Sequence, residues 1–123
     1  GVDGIILSNH GARQLDSTIS PLQVLPEIKR RISDIPIMID SGFRRGTDII
    51  KALALGADFV FVGRPFNYAA ACAGQEGVEH VATLLEREIE RNMALLGLTT
   101  LSQLDRSCLY QPSSGKVTSA ITT

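Results

Sequence analysis

Apolar residues fall in three short blocks, Gly4 to Leu7, Pro36 to Asp40 and Phe59 to Gly63. Each is a continuous run rather than a strict alternation, which predicts strands buried on both faces of a parallel sheet. Between the blocks the apolar spacing becomes helical. Leu22, Leu25, Ile28 and Ile32 follow Ser20-Pro21, an N-cap with a proline in the first turn. Pro26 removes an amide from this stretch, so the regular helix is expected to begin there. Thr47-Asp48 opens a second helix, with Ile49, Ile50, Leu53 and Ala54 on its apolar side and Gly56 just past its end. Pro65 opens a short alanine-rich helix through Ala73. A longer one runs from about Gly77 to Leu96, with Val78, Val81, Leu84, Leu85, Ile89 and Met93 as its buried stripe and Gly97 as its stop. Thr100 to Asp105 is expected to add one short helix. Residues 111–123 are rich in Ser and Thr, lack an apolar period and are expected to form a mobile tail.

Strands alternating with helices specify an α/β fold with parallel strands. Two architectures satisfy that order: an open doubly wound sheet, or part of a TIM (β/α)8 barrel, about three of its eight units, which the family resemblance given below makes the C-terminal portion, about strands 6–8 with their helices. A complete barrel takes roughly 250 residues. The chain has 123 residues and begins almost inside a strand, so it is expected to be a piece of something longer, with residues 1–110 as the barrel part.

Composition narrows the function classes. The formal net charge is -1, from 12 basic and 13 acidic residues, which argues against the basic stripe of a nucleic-acid binder. Cys72 and Cys108 lie far apart, and with His10 and His80 as the only histidines the inventory for zinc is poor. Free thiols suit a reducing compartment. A cytoplasmic protein is expected, with a peripheral position at the inner face of the cell membrane as the alternative.

Candidate chemistry gathers where the three strands end. The run Ser8-Asn9-His10-Gly11-Ala12-Arg13-Gln14-Leu15-Asp16 places an imidazole and a guanidinium three residues apart just after the first strand. A histidine exchanges protons near neutral pH, and an arginine grips a carboxylate with two parallel hydrogen bonds. The pair suits a small acid that must lose a proton, against the plainer reading of a solvated turn. After the second strand, Asp40-Ser41-Gly42-Phe43-Arg44-Arg45-Gly46 leads into a helix N-terminus. Its glycines, Arg44 or Arg45 and the helix dipole together suggest an anion seat, with an ordinary loop as the alternative. Gly63-Arg64-Pro65 ends the third strand in the same manner. If these strands are the sixth to eighth of a barrel, all three groups share its carboxyl-end face, where barrel active sites occur. Other charges have plainer readings. His80 and Lys51 are expected in solvent. Glu86, Arg87, Glu88, Glu90 and Arg91 form a solvated face with local ion pairs. Asp58 is a turn residue, and Gln14 and Asp16 shape the loop after His10.

The nine-residue run from Ser8 to Asp16 resembles the signature of the FMN-dependent 2-hydroxy acid dehydrogenases and oxidases, the family of glycolate oxidase, lactate oxidase, L-lactate dehydrogenase, mandelate dehydrogenase and flavocytochrome b2. Asp40 to Gly56 and Gly63 to Pro65 match its later motifs in order and spacing. The resemblance runs from Gly1 to about Leu109. It implies His10 as the active-site base and Arg13 as the ligand of the substrate carboxylate. It implies FMN as cofactor, with Ser8 contacting the flavin, Asp40, Ser41, Gly42, Phe43 and Arg44 wrapping its ribityl and phosphate, and Gly63 and Arg64 clamping the phosphate. Ser41 stands where many members carry glycine, which favours a lactate-type enzyme. The implied activity is oxidation of an L-2-hydroxy acid to a 2-oxo acid. The implied partners are that small acid, the N-terminal part of the same barrel, which supplies a Tyr, a Lys and an Asp of the family site, and further copies in a tetramer. No activity is expected of the chain alone. Two other readings are another FMN- or phosphate-binding barrel, of dihydroorotate or isopentenyl-diphosphate type, and a non-catalytic phosphate-binding or assembly remnant.

Overall fold

The computed structural model describes residues 1–110, so the expected tail at 111–123 lies outside the described residues. Three parallel strands, β1 (Ile5–Leu7), β2 (Ile37–Ile39) and β3 (Phe59–Val60), form one sheet in the order β1-β2-β3. Ile6 pairs with Met38, and Met38 with Phe59. Helix α1 (Pro21–Arg31) connects β1 to β2, and α2 (Gly46–Ala54) connects β2 to β3. Helix α3 (Arg64–Leu95) follows β3. It is two helices in effect, as the sequence predicts: Ala73 and Gly74 leave helical geometry, Gly74 at φ 56° and ψ −135°. Instead of one short helix over Thr100 to Asp105, two 3-10 turns follow, Leu101–Gln103 and Arg106–Cys108.

The sheet has two unlike faces. Ile37 and Ile39 are fully buried against Leu25 of α1 and Ala52 of α2, with Ile5, Leu7, Val60 and Val62 packed around them. The alternate positions point the other way: Ile6, Phe59 and Phe61 are 52%, 54% and 41% exposed. The expectation of strands buried on both faces therefore holds for the helix-covered face only. The two connecting helices, α1 and α2, lie on the first face, and the described residues leave the other largely open. A second core joins α2 to α3 through Ile50, Ala54, Met93 and Leu104.

Two helix expectations need correction. Helix α1 starts at Pro21 and runs through Pro26. A proline inside a helix costs about 3 kcal/mol. Each fully buried Leu or Ile returns about 1.5–3 kcal/mol, and Leu25 is fully buried with Leu22, Ile28 and Ile32 packed beside it, so packing outweighs the missing amide. On α3, Leu85 and Met93 are buried, but Leu84 is 45% exposed, one position off the face that meets α2.

Asp58 is more than a turn residue. Its Oδ2 accepts from the Ile37 amide at 2.8 Å and from Lys29 Nζ at 2.7 Å, tying α1 to the start of β2. Burial pushes its carboxyl up, but the Ile37 amide and the Lys29 ammonium outweigh that and hold it below the usual carboxylate range.

Candidate active site

A cleft of about 220 Å³ opens at the carboxyl ends of the strands. It is lined by His10, Gly11 and Arg13 after β1, by Asp40 to Arg44 after β2, and by Phe61 to Arg64 and Asn67 after β3. The three groups singled out in the sequence therefore share one opening. The closest tie between them is a hydrogen bond from Arg64 Nη2 to the Gly11 carbonyl at 3.0 Å. Ser8 stands apart from the cleft lining; its Oγ accepts from the His10 amide at 3.0 Å. Phe43 lines the cleft, but it is only 5% exposed and belongs to the core between sheet and helices.

The turn that carries His10 is unusual. His10, Gly11 and Ala12 all have positive φ, at 55°, 64° and 57°. Two of the three are not glycine, and each such residue costs on the order of 1–2 kcal/mol. Nothing in the spacing of the sequence announces this conformation. The imidazole is held by Gln14, whose Oε1 lies 2.7 Å from His10 Nδ1. A carbonyl oxygen only accepts, so the neutral ring carries its proton on Nδ1 and keeps the lone pair of Nε2. Gln14, a loop-shaping residue by sequence, thereby leaves Nε2 able to take a proton.

Charge is unevenly paired across the molecule. Among the described residues, Arg13, Arg44 and Arg64 have no carboxylate partner, and all three line the cleft. Arg30 and Arg31 pair with Glu27 and Arg45 with Glu88, while Arg87, Arg91 and Arg106, outside the cleft, are also without a carboxylate partner among the described residues. The cleft is bordered by three guanidiniums and one carboxylate, Asp40, and the excess of positive charge favours an anionic occupant.

The two helix N-termini near the cleft differ. The sequence suggests an anion seat at the start of α2, with Arg44 or Arg45 as its charge. The structure fills that helix end with the protein's own carboxylates. Asp48 Oδ2 accepts from the amides of Arg44 and Arg45 at 3.1 and 3.0 Å. Glu88 Oε2 accepts from the Gly46 amide at 2.7 Å, and its Oε1 from Arg45 Nε at 2.7 Å. Arg45 and the Gly46 amide, together, hold the Glu88 carboxyl below its ordinary value. Glu88 therefore belongs to a helix clasp and not to a purely solvated face, and it lies 42 residues from its amide partner, beyond the reach of local pattern. Arg44 alone of the pair lines the cleft. At the start of α3, Gly63, Arg64 and Asn67 line the cleft, and no carboxylate among the described residues is bonded to that turn.

The backbone is bare where an anion would approach. A side-chain carbon at Gly42 or Gly63 would meet nothing within 4 Å. Open space before two glycines, flanked by Arg44 and Arg64, fits the phosphate of a mononucleotide. Among the described residues, no group of three or more His, Cys, Asp or Glu is arranged to hold a metal ion.

The sequence pattern of the FMN-dependent dehydrogenase family matches residues 1–111. The chain belongs to this family. It is 51% identical over 104 residues to (S)-mandelate dehydrogenase of Pseudomonas putida, covering 85% of this chain and 26% of that protein. With an L-lactate oxidase of a Nostoc species it shares 48% identity over 111 residues, covering 89% of this chain and 30% of the relative. A structure of (S)-mandelate dehydrogenase superposes with a TM-score of 0.88 at 48% identity, over 91% of this chain and 31% of that one. A flavocytochrome b2 structure does so at 0.82 and 46%, over 88% and 30%. The chain thus spans about a quarter to a third of these relatives' length, and its three parallel β/α units are a portion of the FMN-dependent TIM barrel. Among the described residues, no helix is long and apolar enough to cross a membrane.

Proposed function

We propose that this chain supplies the proton-accepting, carboxylate-binding and phosphate-holding part of an FMN-dependent oxidoreductase that converts a lactate-like L-2-hydroxy acid to a 2-oxo acid. The observation that carries this reading is the single cleft shared by His10, Arg13 and Arg64, with Arg64 bonded to the turn that bears His10. Gly42, Arg44, Gly63 and Arg64 would hold the FMN phosphate, and Ser8, Asp40, Phe43 and the backbone of Ser41 would complete its seat. Bound there, FMN supplies the acceptance of two electrons from the substrate. Arg13 takes the substrate carboxylate in two parallel hydrogen bonds and so fixes the 2-carbon relative to His10. His10 Nε2 receives the proton, from the 2-carbon or from its hydroxyl. Gln14 then stabilises the ring that has gained it through the Nδ1–H bond. Residues 1–110 act in this reading as the C-terminal part of a barrel domain, completed by an N-terminal part of the same barrel and assembling as a tetramer. The chain alone holds flavin weakly and turns nothing over. The reading goes with a cytoplasmic protein or one at the inner face of the membrane; one relative, (S)-mandelate dehydrogenase, is described as a monotopic membrane protein.

The test uses the FMN-loaded holoprotein, with the N-terminal part of the barrel supplied, mixed with L-lactate in the absence of oxygen and followed by the loss of the visible flavin band. His10→Gln is expected to slow that bleaching by about 10²–10⁴-fold with FMN retained. Arg13→Lys is expected to raise KM by about 10- to 100-fold, because the forked grip is lost. Normal bleaching in the His10 variant overturns the base assignment, and an unchanged KM in the Arg13 variant overturns the carboxylate assignment.

A further inference from the structure

We infer that Ser41 is a positioning residue for His10: its hydroxyl ties down the left-handed turn that aims the imidazole. This rests on the proposed role of His10. Ser41 Oγ accepts from the Asn9 amide at 3.2 Å and from the Gly11 amide at 3.1 Å, the residues on either side of His10. The same hydroxyl donates to Asp40 Oδ1 at 2.7 Å. One donor and two lone pairs are its whole inventory, and all are used.

Asn9 Nδ2 also donates to the Ile19 carbonyl at 3.3 Å, and the other bonds that shape the turn are local. Ser8 Oγ, the Asn9 carbonyl and Asn9 Oδ1 accept from His10 and Ala12 within the same loop. Local bonds hold the shape of the turn but not its position over the sheet. That position comes from Ser41, at the end of β2, and from Arg64, after β3, which grips the Gly11 carbonyl. Arg64 also lines the cleft, whereas the bonds of the Ser41 hydroxyl go to this turn and to its neighbour Asp40, so that hydroxyl is the tether.

The backbone at Ser41 supports the same conclusion. Its φ is 79°, a conformation glycine adopts freely and serine adopts at a cost of about 1 kcal/mol or more. Backbone geometry alone would select glycine here. What serine adds, against that cost, is the hydroxyl and its three bonds.

Ser41→Gly and Ser41→Ala in the FMN-loaded holoprotein test this, and Ser41→Gly suits the local φ, so it is expected to fold. Reduction per loaded flavin by L-lactate is expected to fall about 10- to 100-fold in both variants, as for a misaligned reacting group. FMN affinity is expected to stay within about twofold, so kcat carries the loss. Loss of FMN with an unchanged rate per loaded flavin would place the Ser41 hydroxyl in the cofactor seat or in structure alone and overturn the inference. An unchanged rate with FMN retained also overturns it. Amide hydrogen exchange in the unsubstituted protein is independent of the chemistry: Asn9 and Gly11 should be protected, and free exchange at both refutes the tether. Normal bleaching in His10→Gln would remove the proposed reaction instead, while protection at Asn9 and Gly11 would still report the tether itself.

Discussion

Helices α2 and α3 begin alike in sequence, each after a strand and a glycine and with an arginine at its start, and they begin differently in space. The first turn of α2 is closed by Asp48 and Glu88, and Arg45 is drawn into the same clasp. The first turn of α3 borders the cleft, with Gly63 bare and Arg64 unpaired by any described carboxylate. A helix N-terminus attracts anions wherever it lies. Whether it recruits a ligand depends on whether the protein has already brought a carboxylate to it. Here the end of α2 is closed by Asp48 and Glu88, and the start of α3 carries no bonded carboxylate among the described residues.

The contrast is broken most strongly by removing each arginine in turn. Arg64→Ala is expected to weaken FMN binding by about 100-fold, since bonds to a charged group are worth about 1.5–3 kcal/mol each. Arg45→Ala should change it less than about threefold, because an exposed pair of this kind contributes about 0–1 kcal/mol. Titration of the apoprotein with FMN, followed by flavin fluorescence, measures both. Equal losses would mean that both helix ends serve the anion.

A matched pair of glycine substitutions sharpens the comparison. An added carbon at Gly46 would lie 2.6 Å from Glu88 Cβ and 2.8 Å from the Ile89 backbone nitrogen. Gly46→Ala should therefore destabilise the fold by about 1–3 kcal/mol, as overpacking does. Gly63→Ala meets nothing and should stay within about 0.5 kcal/mol of the parent in urea unfolding, while lowering FMN affinity by occupying the phosphate's approach.

The smallest effect is on pH dependence. The carboxyls of Glu88 and Asp58 both lie below their ordinary values in the folded chain. An unfolded carboxylate takes up its proton near pH 4, before the folded one does. The stabilisation from each is therefore complete above about pH 5 and is lost as the pH falls through the folded values. Glu88→Gln and Asp58→Asn should flatten the decline of Tm below about pH 4.5. A decline as steep as in the parent would show that neither group is linked to acid unfolding.

Much of this arrangement was legible in the chain and some was not, for physical reasons. The three apolar blocks located the strands because a parallel sheet needs consecutive apolar residues. The common opening followed from their order, since every strand in such a sheet points the same way. The clasp at α2 was hidden because Glu88 and Gly46 are remote in sequence, and a glutamate among charges looks like solvent-facing helix. The tether at Ser41 was hidden because a hydroxyl in a glycine-rich loop carries no mark of which amides it will meet. Pro26 misled because local propensity counts the lost amide and not the burial of Leu25. The second strand face misled because its apolar residues gave no sign that the described residues leave them largely open.

Phe59 and Phe61 pack as tilted rings with centroids 4.9 Å apart on that face, and β3 pairs among the described residues with β2 alone. Such a strip is sticky: its aromatic surface avoids water and its free backbone edge invites another ribbon. A purified sample of these residues by themselves should self-associate as concentration rises and clump more readily when warmed from the cold, where the attraction between oily surfaces is weaker. Dilute, chilled storage is the condition that keeps it dispersed.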